Sequence, residues 1–248
     1  MWWIISLGRA YQITGDPCYL ADASSGFFYV WKESYDEKRG GMWWNFKHDA
    51  KMACINFPTI VGAMTLYECT KNKSYLEKAL KLYDWSRKVF LDAKQGCIAD
   101  NIHYHFQRPN GMDVDWTTQL YNQGTFIGSA VMLYKATKEK RYLDDAILAA
   151  DYVKDRMCDS EGMLPFKNGI EQGCYAAIFA QYISMLIEDG GQKQYLPWLQ
   201  KYISKAWEMR DKQRNITFKD VSKSCPEGVI ESYDASGCPA LMQLIPSK

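Results

Sequence analysis

The sequence predicts an all-α protein built from helical hairpins, and three observations carry that prediction. The stretch 116–146 reads as a helix, a tight turn and the start of a second helix, with a polar entrance at Gln119, Tyr121, Asn122 and Gln123. Its middle, from Gly124 through Phe126, Ile127, Gly128, Ala130, Val131 and Leu133, is apolar on most of its circumference, which places a helix inside a protein. The same unit recurs. Turns ending in Tyr-Leu stand at 14–20, 70–76, 137–143 and 190–196, their tyrosines Tyr19, Tyr75, Tyr142 and Tyr195 spaced 56, 67 and 53 residues apart. Finally, each turn follows an apolar helix rich in Gly, Ala and Ser (2–12, 56–69, 120–136, 173–187). Each precedes a more amphipathic one (19–33, 74–90, 141–157, 194–210). Four occurrences in one chain argue for a repeated αα-hairpin rather than four unrelated ones.

Composition sets the bounds. The 248 residues are 47% hydrophobic and 24% charged, which fits a single domain over 1–248. A net charge of +1 argues against a nucleic-acid partner. No apolar run is long enough for a membrane span, and Met1-Trp2-Trp3 lacks the basic region and cleavage site of a signal peptide. Eight cysteines (Cys18, Cys54, Cys69, Cys97, Cys158, Cys174, Cys225, Cys238) are scattered without a CxxC pair, and most read as buried thiols.

Taken in order, the chain opens inside an inner helix with no capping residue before it, so further sequence upstream is expected. Residues 34–50 form a loop with Gly40-Gly41 and the exposed-looking pair Trp43-Trp44. The second inner helix starts near Asn56, with Pro58 in its first turn. The long connection 91–116 alternates polar and apolar residues around 98–106, as in a short hairpin, and connections this long are usually functional. Another loop covers 158–172. After Arg210 the chain is irregular up to 232, and 234–244 reads as a last helix, about nine in all.

Long loops precede the inner helices and short turns follow them, so the polar, aromatic loops are expected to gather over the helix entrances. Counting 14 residues back from Thr137 gives Gln123, and from Thr70 gives Asn56, both amides. The same count from Thr14 gives position zero, just before Met1.

Tyr121-Asn122-Gln123-Gly124 before an inner helix and the Thr-x-x-x-x-Tyr-Leu turn resemble glycoside hydrolase family 76, the α-1,6-mannanases. So do Gly40-Gly41-Met42-Trp43-Trp44 ahead of Lys51 and Asn56, and Ile98-Ala99-Asp100-Asn101. The resemblance covers essentially the whole chain. It implies an (α/α)6 toroid or barrel, here incomplete by about three helices, and a retaining, endo-acting α-1,6-mannanase without cofactor or metal. It also implies secretion or a periplasmic or cell-surface location. The family's catalytic pair is two consecutive Asp residues just before an inner helix that matches Met1-Trp2-Trp3 onward. The pair is therefore expected upstream of Met1, no residue of this chain receives a catalytic role, and the chain as given is expected to be inactive. The expected partner is α-mannan or a manno-oligosaccharide. An open barrel edge would favour self-association.

The substrate-binding candidates are Trp43, Trp44, Asn56, Asp100, Tyr121, Asn122 and Gln123. Indoles stack on sugar rings, although either tryptophan could simply pack its loop onto the helices. Amides suit neutral polyols but also cap helices. Asp100 reads as a sugar-hydroxyl contact or a turn residue. Asp113 and Asp115 read as solvated loop residues, and Asp144-Asp145 as a solvated first-turn pair. His103 and His105 without a third ligand read as ordinary loop histidines. Lys51 either forms a salt bridge or lines the cleft. Two other functions compete: a non-catalytic carbohydrate-binding scaffold, and a sugar 2-epimerase, which would need rim His and Glu residues that are not found.

Overall fold

The computed structural model describes residues 1–104, 111–169 and 171–245. The chain forms two compact units, one of Met1–Ala93, Ile98–Thr118 and Ala136–Lys138, the other of Lys94–Cys97, Gln119–Lys135 and Glu139–Lys248.

The first unit contains two hairpins, α1 (Trp2–Thr14) with α2 (Pro17–Ser34) and α3 (Ala53–Thr70) with α4 (Lys73–Phe90). α3 is apolar all round and packs on α1, α2 and α4. Its approach to α1 depends on Gly8, where a Cβ would lie 2.7 Å from Thr65 Cγ2. α4 is amphipathic and turns Ala79, Leu82, Tyr83, Ser86 and Phe90 inward. Three short strands, β1 (Ala50–Met52), β2 (Asn101–Tyr104) and β3 (Met112–Asp115), form an antiparallel sheet in that order. Lys51 pairs with Ile102, and Ile102 with Val114.

The recurrent turn has a local chemical basis. Thr14 and Thr70 donate their hydroxyls to the carbonyls of Ala10 and Leu66 and accept the N–H of Asp16 and Asn72. The residue after each threonine, Gly15 or Lys71, takes the left-handed conformation and closes the helix end onto the carbonyl of Tyr11 or Tyr67. Asp16 and Asn72 then cap the next helix through the N–H of Cys18 and Ser74. All four repeat tyrosines donate their backbone N–H three residues back, to Asp16, Asn72, Glu139 and Gln192.

The second unit holds α5 (Leu120–Thr137, but for its last two residues), α6 (Lys140–Tyr152), α7 (Tyr175–Glu188) and α8 (Leu196–Glu208). They are followed by α9 (Ser232–Ala235) and by α10 (Gly237–Leu244), which packs on α7 and α8. Close packing of α5 on α7 needs Gly128, where a Cβ would meet the Tyr182 ring at 2.0 Å.

The hairpin helices lie close to where the periodicity predicts them, with three corrections. α3 begins at Ala53 rather than near Asn56, because the chain enters it directly from β1 and the Ala53 N–H is taken by the Asp100 carbonyl. Pro58 is therefore inside the helix. The hairpin in the long connection pairs 101–104 with 112–115 and recruits β1 as a third strand, a long-range pairing that local alternation does not signal. The last helix is broken at Ser236 into α9 and α10. None of the eight cysteines is in a disulfide, but only Cys97 and Cys238 are buried, so most are not the core residues expected.

Candidate functional site

In the first unit, the loop between α2 and β1 is organised by one charge. Lys51 has no exposed surface, and its Nζ lies 2.8 Å from Asp36 Oδ2 and donates to the Gly40 carbonyl. The ammonium sits over the rings of Trp43, Trp85 and Tyr104 at 4.1, 5.0 and 5.2 Å. Asp36 also accepts the backbone N–H groups of Lys38 and Arg39. Burial alone would raise the Asp36 carboxyl, but the hydrogen bond and charge of Lys51, with those two N–H groups, hold it below the ordinary range. Burial lowers the Lys51 ammonium, and Asp36 opposes that shift. The question left open by the sequence is thus decided for a salt bridge. Gly40 and Gly41 have φ of +76° and +79°, and a Cβ on either would enter the Trp85 ring.

The adjacent tryptophans separate. Trp43 is 7% exposed, stacked on His48 at 5.1 Å and edge-on to Tyr104. Trp44 is 50% exposed, with its N–H held by the Ala50 carbonyl at 2.9 Å. Asn56 is fully buried. Its Oδ1 accepts the Met42 N–H at 2.7 Å, and its Nδ2 donates to the carbonyls of Met52 at 2.8 Å and Met42 at 3.4 Å. These bonds tie the Gly40–Trp44 segment to the start of α3.

Asp100 stands at the entrance of β2. Asn101 donates its Nδ2 to Asp100 Oδ2 at 3.1 Å and to Asp115 Oδ2 at 3.3 Å, so one amide spans two carboxylates. The backbone N–H and hydroxyl of Thr117, with Asn101, hold the Asp115 carboxyl below its ordinary range. Asn101 and Asp115 are additions to the expected set, and Asp115 is not merely solvated. Only the strand pairing of Asn101 with Asp115 makes the trio visible. His103 lies on β2 opposite Asp113. His105 falls outside the described residues. Among the described residues, no group of three or more His, Cys, Asp or Glu is placed to hold a metal ion.

In the second unit, Asn122 and Gln123 are fully buried in the first turn of α5, and both donate their backbone N–H to the Gln119 carbonyl at 3.1 Å. Tyr121 is partly exposed and lies 4.4 Å from the Tyr175 ring. Asp144 is bonded to Lys140 at 2.6 Å, and Asp145 is buried on the inner face of α6. This pair is not the solvated one expected, since α6 turns Asp145 toward its packed side. It is the chain's one Asp-Asp, and it lies inside a helix rather than at a helix entrance.

Similar structures have been solved for proteins of other organisms. The α-1,6-mannanase GH76A from a Salegentibacter species has a TM-score of 0.84 and 25% identity, over 98% of this chain and 72% of that one. An inactive variant of the same enzyme, with two consecutive aspartates replaced, is solved in complex with α-1,6-mannotetrose and matches equally well at 26% identity. The Lin0763 protein from Listeria innocua has a TM-score of 0.85 and 26% identity, over 96% of this chain and 68% of that one. The fold class is the helical toroid of these proteins, and the chain is shorter than they are. No curated protein matches the sequence. Residues 1–237 match glycosyl hydrolase family 76, and the chain belongs to that family.

Proposed function

We propose that the protein acts on α-1,6-mannan as a retaining, endo-acting glycoside hydrolase, working as one catalytic-type domain outside the cytoplasm, secreted or at the cell surface. The observation that carries this reading is the likeness to an α-1,6-mannanase along 98% of the chain at 25% identity. In the first unit, Trp44 offers an indole face to a mannose ring and Asp100 accepts a sugar hydroxyl, while Trp43 and Asn56 hold their loop in place. In the second unit, Tyr121, Asn122 and Gln123 contact the glycan or brace the loops that do.

Retention needs two carboxyls. One attacks the anomeric carbon as the glycosidic oxygen takes a proton from the other, and water then releases the sugar. A helix N-terminus suits an ionised carboxylate through its dipole. Asp144-Asp145 fits neither role, being inside α6 and bonded to Lys140. The reading therefore expects the consecutive aspartates ahead of Met1, where the repeat count also falls.

The test compares reducing-end release from α-1,6-mannan by residues 1–248 and by a form extended upstream through an Asp-Asp. Activity in the extended form alone supports the reading. Equal activity in both overturns it and points to Asp100, Asp113 and Asp115. Self-association of residues 1–248 is expected of an open barrel edge, and sedimentation as a monomer at all concentrations would exclude it.

A further inference from the structure

Lys51 is a buried cation whose contacts come from three other places in the chain. Asp36, Gly40 and Trp43 lie in the loop after α2, Trp85 on α4 and Tyr104 on β2, while Lys51 itself is in β1. The three ring faces and the carboxylate offset the cost of holding an ammonium out of water. An apolar side chain of similar length would fill the same space with less desolvation, so packing alone does not call for a charge here. The charge adds direction. It draws Asp36 and the Gly40 carbonyl to one point, and Asp36 in turn holds the N–H groups of Lys38 and Arg39. The loop is thereby fixed on the approach to the Gly40-Gly41 turn. Trp44 follows three residues later, with its N–H on the carbonyl of Ala50, the residue before Lys51.

We propose that Lys51 is a positioning residue for glycan binding, its ammonium setting, through Asp36 and Gly40, the loop that presents the Trp44 indole to a mannoside ring. The glycan half of this inference rests on the mannan reading above; the loop half does not. Lys51 touches no sugar in this scheme and acts only through Trp44.

The single change Lys51→Met leaves Asp36 buried without its counter-charge and can prevent folding. The double variant Lys51→Met/Asp36→Asn removes both charges and keeps an oxygen for the N–H groups of Lys38 and Arg39. Hydrogen–deuterium exchange, read peptide by peptide, needs no ligand. The amides of 36–44 are expected to exchange about tenfold faster in the double variant, the scale of one charged hydrogen bond, while α3 and α4 keep their protection. Unchanged exchange in 36–44 overturns the proposal. Calorimetry with α-1,6-mannotetraose then compares the wild type, the double variant, Trp44→Ala and the triple variant. The double variant and Trp44→Ala are each expected to weaken binding about tenfold, and the triple variant no more than Trp44→Ala alone. Losses that multiply in the triple variant show Lys51 acting apart from Trp44 and overturn its positioning role. A wild type that does not bind the tetrasaccharide sinks the mannan reading and the glycan half with it, and exchange still decides whether Lys51 sets the loop.

Discussion

The two ends of the hairpins in the first unit solve the same problem by different means. At the short turns, Thr14 to Tyr19 and Thr70 to Tyr75, backbone groups freed by the helix ends find partners within a few residues, through a threonine hydroxyl, a left-handed residue and a capping side chain. At the opposite end, the segment between α2 and α3 is held by partners far away in sequence, with Lys51 on Asp36 and Asn56 on Met42. The short turns are redundant, since several small bonds share the work. The long loop depends on two buried side chains, each of which satisfies several partners at once. That difference teaches where the molecule is fragile, and it puts the fragile end beside the exposed indole and carboxylates of the candidate site.

Substitutions break or sharpen this contrast. The largest effect is expected from Lys51→Met, which leaves Asp36 buried and unpaired and should cost about 3–5 kcal/mol by chemical denaturation. A loss below about 1 kcal/mol would mean that the loop end is no more dependent on one residue than the turns are. Asn56→Ala comes next. It strips partners from the Met42 N–H and from the carbonyls of Met42 and Met52, for an expected loss of about 2–3 kcal/mol in the same assay. At the other end, Asn72→Ala removes one cap from α4 and should cost about 1 kcal/mol, leaving mannan binding unchanged. If Asn72→Ala proved as damaging as Asn56→Ala, the contrast between the ends would collapse.

The smallest effect is one of pH. Asp36 has a folded value below its unfolded one, so it contributes stability that is present above about pH 4 and lost as pH falls through the lowered folded value. The stability of Asp36→Asn should therefore fall less steeply than that of the wild type below pH 4, and parallel curves would remove Asp36 as a source of acid sensitivity.

Much of the site was legible only in pieces. The Trp43-Trp44 pair stood out as candidate sugar platforms, yet nothing local says which ring faces inward. The choice is made by His48, Tyr104 and Lys51, which close on Trp43 alone. Asn56 was found by its count from Thr70, but its amide turns out to brace backbone. Asp115 was read as a solvated loop residue and Asn101 only as part of a motif, because the strand pairing that joins both to Asp100 has no local signal.

By itself, the sequence determined the hairpins. Helix periods, the threonine turns and the caps all act over a handful of residues, so each repeat carries its own instructions wherever it lies in the chain. The tertiary structure alone decided the third strand, the burial of Lys51 and the exposure of Trp44. Each of these depends on groups brought together from distant segments, and only a packed interior makes a buried ammonium need Asp36 and three aromatic rings at once.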